Sequence, residues 1–258
     1  NGAPGTASGQ FVRVFKEGRA MTVSRCFGEP VPDFRAPPRP SGEVLEGRLV
    51  RLEPLDAARH AADLFAANSA DDRIWDYLPY GPFAALPDYD AWVRRMQGGA
   101  DPFFYAIIDR TTDRAQGVAS YLRITPEAGS IEVGHICYSP TLQGTPAATE
   151  AMFLMMDWAF GAGYRRYEWK CDALNLPSRR AASRLGFSFE GTFRQAAIVK
   201  GRNRDTAWFA VINKDWPALQ AAFTRWLDPT NFDAAGRQKQ SLSTQVAPLL
   251  FATDPVQS

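Results

Sequence analysis

One helix held between two strands constrains this chain more than any other feature. Over residues 147–160, Met152, Met155, Met156 and Ala159 recur at i, i+3, i+4 and i+7, and Phe153 and Phe160 widen the stripe. That period marks a helix with one broad buried face. Residues 130–138 before it and 166–172 after it alternate as strands do. A helix that leaves one strand and returns beside it makes the pair parallel. The remaining patterns predict a strand over 49–54, a helix opened by Asp56 as N-cap, and a second helix over 88–96 closed by Gly98 and Gly99. Strands over 103–109 and 117–124 follow as a hairpin, and a short helix over 177–185 stops at Gly186. A long hairpin over 187–199 and 205–212 completes the series. This is a mixed α/β domain.

The ends differ from this body. Residues 1–46 hold six Gly and six Pro with no sustained apolar period, and such a segment buries too little to offset ordering entropy. We expect a flexible arm there, with residues 1–20 a non-native extension if Met21 is the start. Residues 47–226 form the folded domain, and residues 227–258 are an extension that wraps it or serves a homodimer. In the whole chain of 258 residues, 29 basic side chains face 28 acidic ones, so no overall field favours nucleic acid. No apolar run reaches the roughly 18 residues that cross a bilayer, and nothing at the start reads as an export signal. Cys26, Cys137 and Cys171 are too few and scattered for a disulfide framework or a metal site. A cytoplasmic, thiol-reduced protein is expected.

The segment 142–150 has a definite chemical reading. It follows a strand and opens the strong helix, where backbone N–H groups and the helix dipole make an anion site. Gln143 and Ala148, followed by Thr149, Glu150 and Ala151, resemble the pyrophosphate loop of the GNAT superfamily of acyl-CoA-dependent N-acetyltransferases. The branch that acetylates N-termini of ribosomal proteins is the most similar. Glu132-Val133-Gly134, Asn175 with Ser178, and Leu185-Gly186-Phe187 match as well, so the resemblance spans about residues 47–220. It implies a single domain whose mostly antiparallel mixed sheet is splayed around acetyl-CoA, with helices on both faces. It also implies transfer of an acetyl group to a primary amine, of a small molecule or a protein N-terminus, by direct attack. Cofactor contacts fall to Ile136, Tyr138, Gln143, Gly144, Thr145, Ala147, Ala148, Thr149 and Asn175. One departure stands out: the central glycine of the family loop is Pro146, which offers no N–H but suits the first position of a helix.

The same resemblance makes Glu132 the expected general base, directly or through water, and Ser178 the expected proton donor to the leaving thiolate. The tyrosine that many of these enzymes use as acid is replaced by Ala182. His135 would face away from Glu132 on an ideal strand, unless a bulge intervenes. Read from residue types alone, Cys171, His135 and Asn175 could instead form a thiol nucleophile, base and orienting amide. Arg165, Arg166, Arg179, Arg180, Lys200, Arg202 and Arg204 could form a basic rim for a phosphate, or for an aminoacyl-tRNA end in a binding module or tRNA-dependent transferase. Trp75, Tyr77, Tyr80 and Phe83 would wall the acceptor, and Asp71, Asp72 and Asp76 would suit a cationic one.

Overall fold

The computed structural model describes the backbone of residues 12–13 and 21–22 and the whole of residues 26–256. The chain divides into two units, Asn1–Phe34 and Arg35–Ser258. In the first, β1 (Val12–Arg13) pairs antiparallel with β2 (Met21–Thr22). The expectation of a non-native extension over residues 1–20 falls almost wholly outside the described residues.

The second unit runs β3 (Leu45–Glu46), β4 (Val50–Pro54), α1 (Ala57–Asn68), α2 (Leu86–Met96), β5 (Phe103–Asp109), β6 (Arg114–Thr125), β7 (Ser130–Tyr138), α3 (Pro146–Gly161), β8 (Arg166–Asp172), α4 (Leu176–Arg184), β9 (Ser188–Val199), β10 (Arg202–Ile212), α5 (Trp216–Leu227) and α6 (Leu242–Val246). A short 3-10 turn, Asp72–Trp75, lies between α1 and α2. Eight strands form one sheet in the order β3-β4-β5-β6-β7-β8-β10-β9. Every neighbouring pair is antiparallel except β7 and β8. The mixed, mostly antiparallel sheet with helices on both faces is therefore present, and its one parallel pair is the pair that α3 connects.

Each face buries its own core. On one, Met152, Met155 and Met156 of α3 pack on Tyr121, Tyr167 and Phe209, with Trp216, Phe223 and Trp226 of α5 beside them. On the other, α1 and α2 lay Leu64, Tyr89 and Trp92 over Phe104, Ala106, Ile108 and Val118. Asp56 caps α1 by accepting from Arg59 N at 2.9 Å. Gly186 ends α4 with φ +87°, and a side chain there would collide with Leu219, so both the turn and the close approach of α5 require glycine. Glu150, in the first turns of α3, accepts from Leu49 N (2.6 Å) and Val50 N (2.9 Å) and fastens α3 to the start of β4.

The folded unit starts upstream of the expected boundary at Gly47. Pro37 and Pro40 are buried, Tyr164 OH donates to Pro38 O at 3.0 Å, and Arg39 Nη2 donates to Ile124 O at 3.0 Å. At the other end, residues 227–256 wrap the domain. Leu242 and Val246 enter the α3-side core, Phe189 N donates to Ala252 O, and Arg179 Nε donates to Asp254 Oδ2 at 2.7 Å with both residues buried. Among the described residues, no helix is long and apolar enough to cross a membrane.

Candidate active site

The sheet opens at its one parallel pair. β7 pairs with β8 only from Ser130 with Arg166 to Val133 with Trp169. Beyond Val133 the strands part, and β8 keeps its other partner, β10, as far as Asp172 with Thr206. The parting begins where β7 takes one extra residue against β6, between the pairs Ser120–Gly134 and Val118–Cys137. His135 sits at this bulge with φ +52°. Ser139 N donates back to Gln116 O of the β6 side at 2.9 Å. Alternation along the strand then turns the N–H groups of Ile136 and Tyr138 the other way, into the opening.

The N-terminus of α3 lies at the end of this opening. Thr145 is extended (φ −94°, ψ 159°) and caps the helix, its Oγ1 accepting from Ala148 N, with Pro146 in the first turn. Thr145 N donates to Leu142 O and Thr149 N to Thr145 O. The N–H groups of Gly144 and Ala147 have no protein acceptor among the described residues. Gly144 has φ +71°, and a side chain placed on it would meet open space, so its conformation rather than crowding selects glycine. Gln143 turns its side chain back, Nε2 donating to Tyr138 O at 2.9 Å. Of the loop donors expected to meet phosphate, Thr145 and Ala148 are committed internally, and Gly144 and Ala147 remain.

Across the opening, Asn175 caps α4 through Oδ1, which accepts from Ser178 N at 3.1 Å. The Ser178 hydroxyl accepts from Trp169 Nε1 of β8 at 3.0 Å. It also lies against the Cys171 thiol. An oxygen that accepts from an indole keeps its own proton for donation. Burial pushes the Cys171 thiol up to about 11, so it is not a thiolate at neutral pH. The thiol-nucleophile reading has no support in this geometry.

Glu132 lies on the α1/α2 face, buried in a row of alternating charge. Its Oε1 meets Arg123 Nη1 at 2.5 Å and its Oε2 meets Lys170 Nζ at 2.7 Å. Lys170 also reaches Glu168 at 2.7 Å and sits 3.8 Å over the Trp208 ring. Arg166 continues the row to Glu190. Burial raises the Glu132 pKa above the usual carboxylate value, and Lys170 and Arg123 only partly offset it. The bulge brings His135 to this same face: it packs on Phe104 and Tyr80, and its Nδ1 lies 3.1 Å from Tyr80 OH. Either group can donate in this bond, and with Tyr80 OH as the donor the ring proton sits on Nε2. Burial, with the charges of Arg123 and Arg204, pushes the His135 pKa down to about 4.

Trp75, Tyr80 and Phe83 stack with Tyr89 and Trp92 under the α1–α2 connection. Tyr77 OH donates to Leu174 O, and Lys200 Nζ donates to Trp75 O, so this connection bridges from β7 to the far lip of the opening. Part of the expected basic rim is spoken for: Arg166 and Arg179 are held by Glu168 and Asp254. Asp71 is held by Arg73. Arg123 and Lys170 escaped sequence reasoning as members of the site. The alternation of β8, with Arg166, Glu168 and Lys170 on one face, is the signal that could have found Lys170. Among the described residues no acidic, histidine or cysteine cluster has the makings of a metal site.

Comparison with known proteins agrees with this geometry. The model of the GNAT acetyltransferase domain matches residues 49–188. The crystal structure of a GCN5-related N-acetyltransferase from Brucella melitensis is 45% identical, covers 84% of this chain and all of its own, and superposes with a TM-score of 0.82. A probable GNAT-family acetyltransferase from Chromobacterium violaceum is 39% identical over 77% of this chain and all of its own, with a TM-score of 0.71. An uncharacterised N-acetyltransferase, p20, of Bacillus licheniformis is 26% identical over 161 residues, 60% of this chain and 89% of that one. The parted strands, the capped helix beside them and these matches have one meaning: the chain belongs to the GNAT family of acetyl-CoA-dependent N-acetyltransferases.

Proposed function

We propose that the protein moves the acetyl group directly from acetyl-CoA to a primary amine, of a small molecule or of a protein N-terminus. The single observation that carries this reading is the parting of β7 from β8 beside the N-terminus of α3. It supplies a slot lined by backbone donors that ends at an anion-binding helix start. The residues fit coenzyme A: the N–H groups of Gly144 and Ala147, with no protein acceptor among the described residues, are offered to its pyrophosphate, and Asn175 at the start of α4 keeps its side-chain N–H groups while Oδ1 caps the helix. Acetyl-CoA supplies the activated acyl group.

The chain's own groups then divide the work. The N–H groups of Ile136 and Tyr138 orient and polarise the acyl oxygen. Glu132 takes the amine proton through a water, on the carboxylate sites that Arg123 and Lys170 leave open. Burial, which raises its pKa above the usual carboxylate value, strengthens it as a proton acceptor. Ser178 donates from its hydroxyl to the departing sulfur, fixed for the purpose by Trp169. His135 is a neutral donor from Nε2, not a base. The positive charges that keep it neutral also favour the free amine over its ammonium form.

A melting-temperature titration with acetyl-CoA, followed by an amine panel read by mass spectrometry, tests the reading. A ligand that binds only the native state raises the melting temperature by linkage. Acetyl-CoA should do so, free acetate should not, and acetylated product should appear. No shift with any acyl-CoA overturns it.

A further inference from the structure

Arg204 has no carboxylate partner among the described residues. Arg51, Arg123, Arg166 and Arg179 each meet a carboxylate oxygen within 2.7 Å. Arg204 is also half-buried, its Nε is shut off from solvent without a partner, and its side chain makes no ion pair among the described residues. An Nε–H withdrawn from water without an acceptor is costly, so its position calls for an acceptor that arrives with a ligand, and the cationic guanidinium favours an anionic one.

The register shows where that anion would sit. Thr206 of β10 pairs with Asp172 at the end of β8, and Arg204 lies two residues further, beyond the pairing, at the lip of the opening. Arg204, Thr206 and Trp208 alternate onto one face, and Trp208 lies under Lys170 on the face that carries Glu132. The charge of Arg204 is felt by His135 on β7 and by Cys171 on β8, the two sides of the gap. His135 adds a second polar atom: its Nδ1 is engaged by Tyr80, Nε2 has no protein partner among the described residues, and with Tyr80 as the donor Nε2 carries the ring proton. Lys200 and Arg123 add positive charge to this lip, while Glu132 is already shared between two cations.

We infer that the acceptor amine carries an anionic group, a carboxylate or a phosphate, a few atoms from its nitrogen, and that Arg204 together with Nε2–H of His135 receives it. This rests on the acetyl-transfer reading above and names the substrate class of that site. A cationic acceptor, for which Asp71, Asp72 and Asp76 were candidates, meets the wrong sign of charge here.

Coenzyme A thioether conjugates test the two readings separately, because they need no turnover. In one, the sulfur carries an acetyl-linked glycine with its free carboxylate; in the second, glycinamide; in the third, aminomethylphosphonate. Calorimetry on the full chain should show the carboxylate or the phosphonate conjugate binding at least about tenfold tighter than the amide, as a charge-assisted contact requires. Which of the two anions gains more identifies the source. In Arg204→Gln the preference should fall to below about threefold, and Arg204→Lys should retain part of it, with melting curves showing both variants folded. Equal binding of all three conjugates by the wild type, or an undiminished preference in Arg204→Gln, overturns the inference while leaving the coenzyme site intact. Binding of none of them counts against the coenzyme site itself, and the inference falls with it.

Discussion

Pro146 stands where the loop that this segment resembles has its central glycine, and replacing it gives the sharpest test of the phosphate loop. Of the donors around the α3 N-terminus, Gly144 N and Ala147 N have no protein acceptor among the described residues, while Thr145 N and Ala148 N are used within the loop. Pro146→Gly or Pro146→Ala inserts one N–H between the free pair, at a helix position where it has no intrahelical acceptor. A hydrogen bond to a charged group contributes about 1.5–3 kcal/mol, so acetyl-CoA should bind roughly tenfold to hundredfold tighter. There is an opposing cost. Proline stiffens the unfolded chain by about 0.4–1 kcal/mol and favours the extended Thr145 that caps the helix. The free variant should therefore melt a few degrees lower, at roughly 2–4 °C per kcal/mol for a domain of this size. Alanine, which costs less helix propensity than glycine, should show the gain with the smaller loss. Calorimetric titration with acetyl-CoA, alongside melting of the free protein, measures both. If both variants melt as expected yet bind acetyl-CoA no tighter than the wild type, phosphate does not lie against this turn.

Glu132→Gln should slow transfer by about 10²–10⁴ with acetyl-CoA affinity little changed and partial rescue at high pH; Lys170 keeps Glu168, so the fold should hold, and a rate near wild type would remove Glu132 from proton transfer. His135 has its pKa pushed down from 6.5 to about 4 in the fold, so the stability it contributes is present above pH 6.5 and lost as pH falls towards 4. His135→Asn, which tolerates the positive φ, should therefore lose less stability than wild type between pH 7 and pH 5 in urea titrations; parallel curves would contradict this. Among the described residues, Asp254→Ala leaves the buried Arg179 with Ala173 O as its one remaining hydrogen-bond acceptor and should cost about 3 kcal/mol, seen as a melting point lower by roughly 6–12 °C. A loss under about 0.5 kcal/mol would mean that the C-terminal strap does not hold α4.

What could be read from the sequence was whatever depends on near neighbours. The Met stripe of α3, the Asp56 cap and the turn at Gly186 are local, and each element stands within a residue or two of its expected place. The helix Trp216–Leu227 carried its own stripe, Trp216, Leu219, Phe223 and Trp226, and was passed over although its period is plain. The rest needed distance information. Arg179 meets its carboxylate 75 residues away, and no local pattern announces such a pair. Pro37 to Pro40 read as arm because proline-rich composition lowers the chance of a core, yet Tyr164 and Ile124 tie that stretch down from more than 80 residues off. At the site, alternation placed Glu132 on a strand, but not between Arg123 and Lys170. The opening itself follows from a bulge at His135, where one residue in a left-handed conformation shifts the register. Alternating hydrophobicity carries no mark of that conformation.

Residue-resolved hydrogen exchange of the protein with and without acetyl-CoA tests the central claim most directly. If acetyl-CoA lies in the gap between β7 and β8 with its pyrophosphate at α3, the amides of Ile136, Tyr138, Gly144 and Ala147 should become protected on addition of acetyl-CoA and stay unprotected with acetate. Saturable binding of acetyl-CoA that leaves all four amides exchanging as in the free protein would contradict it.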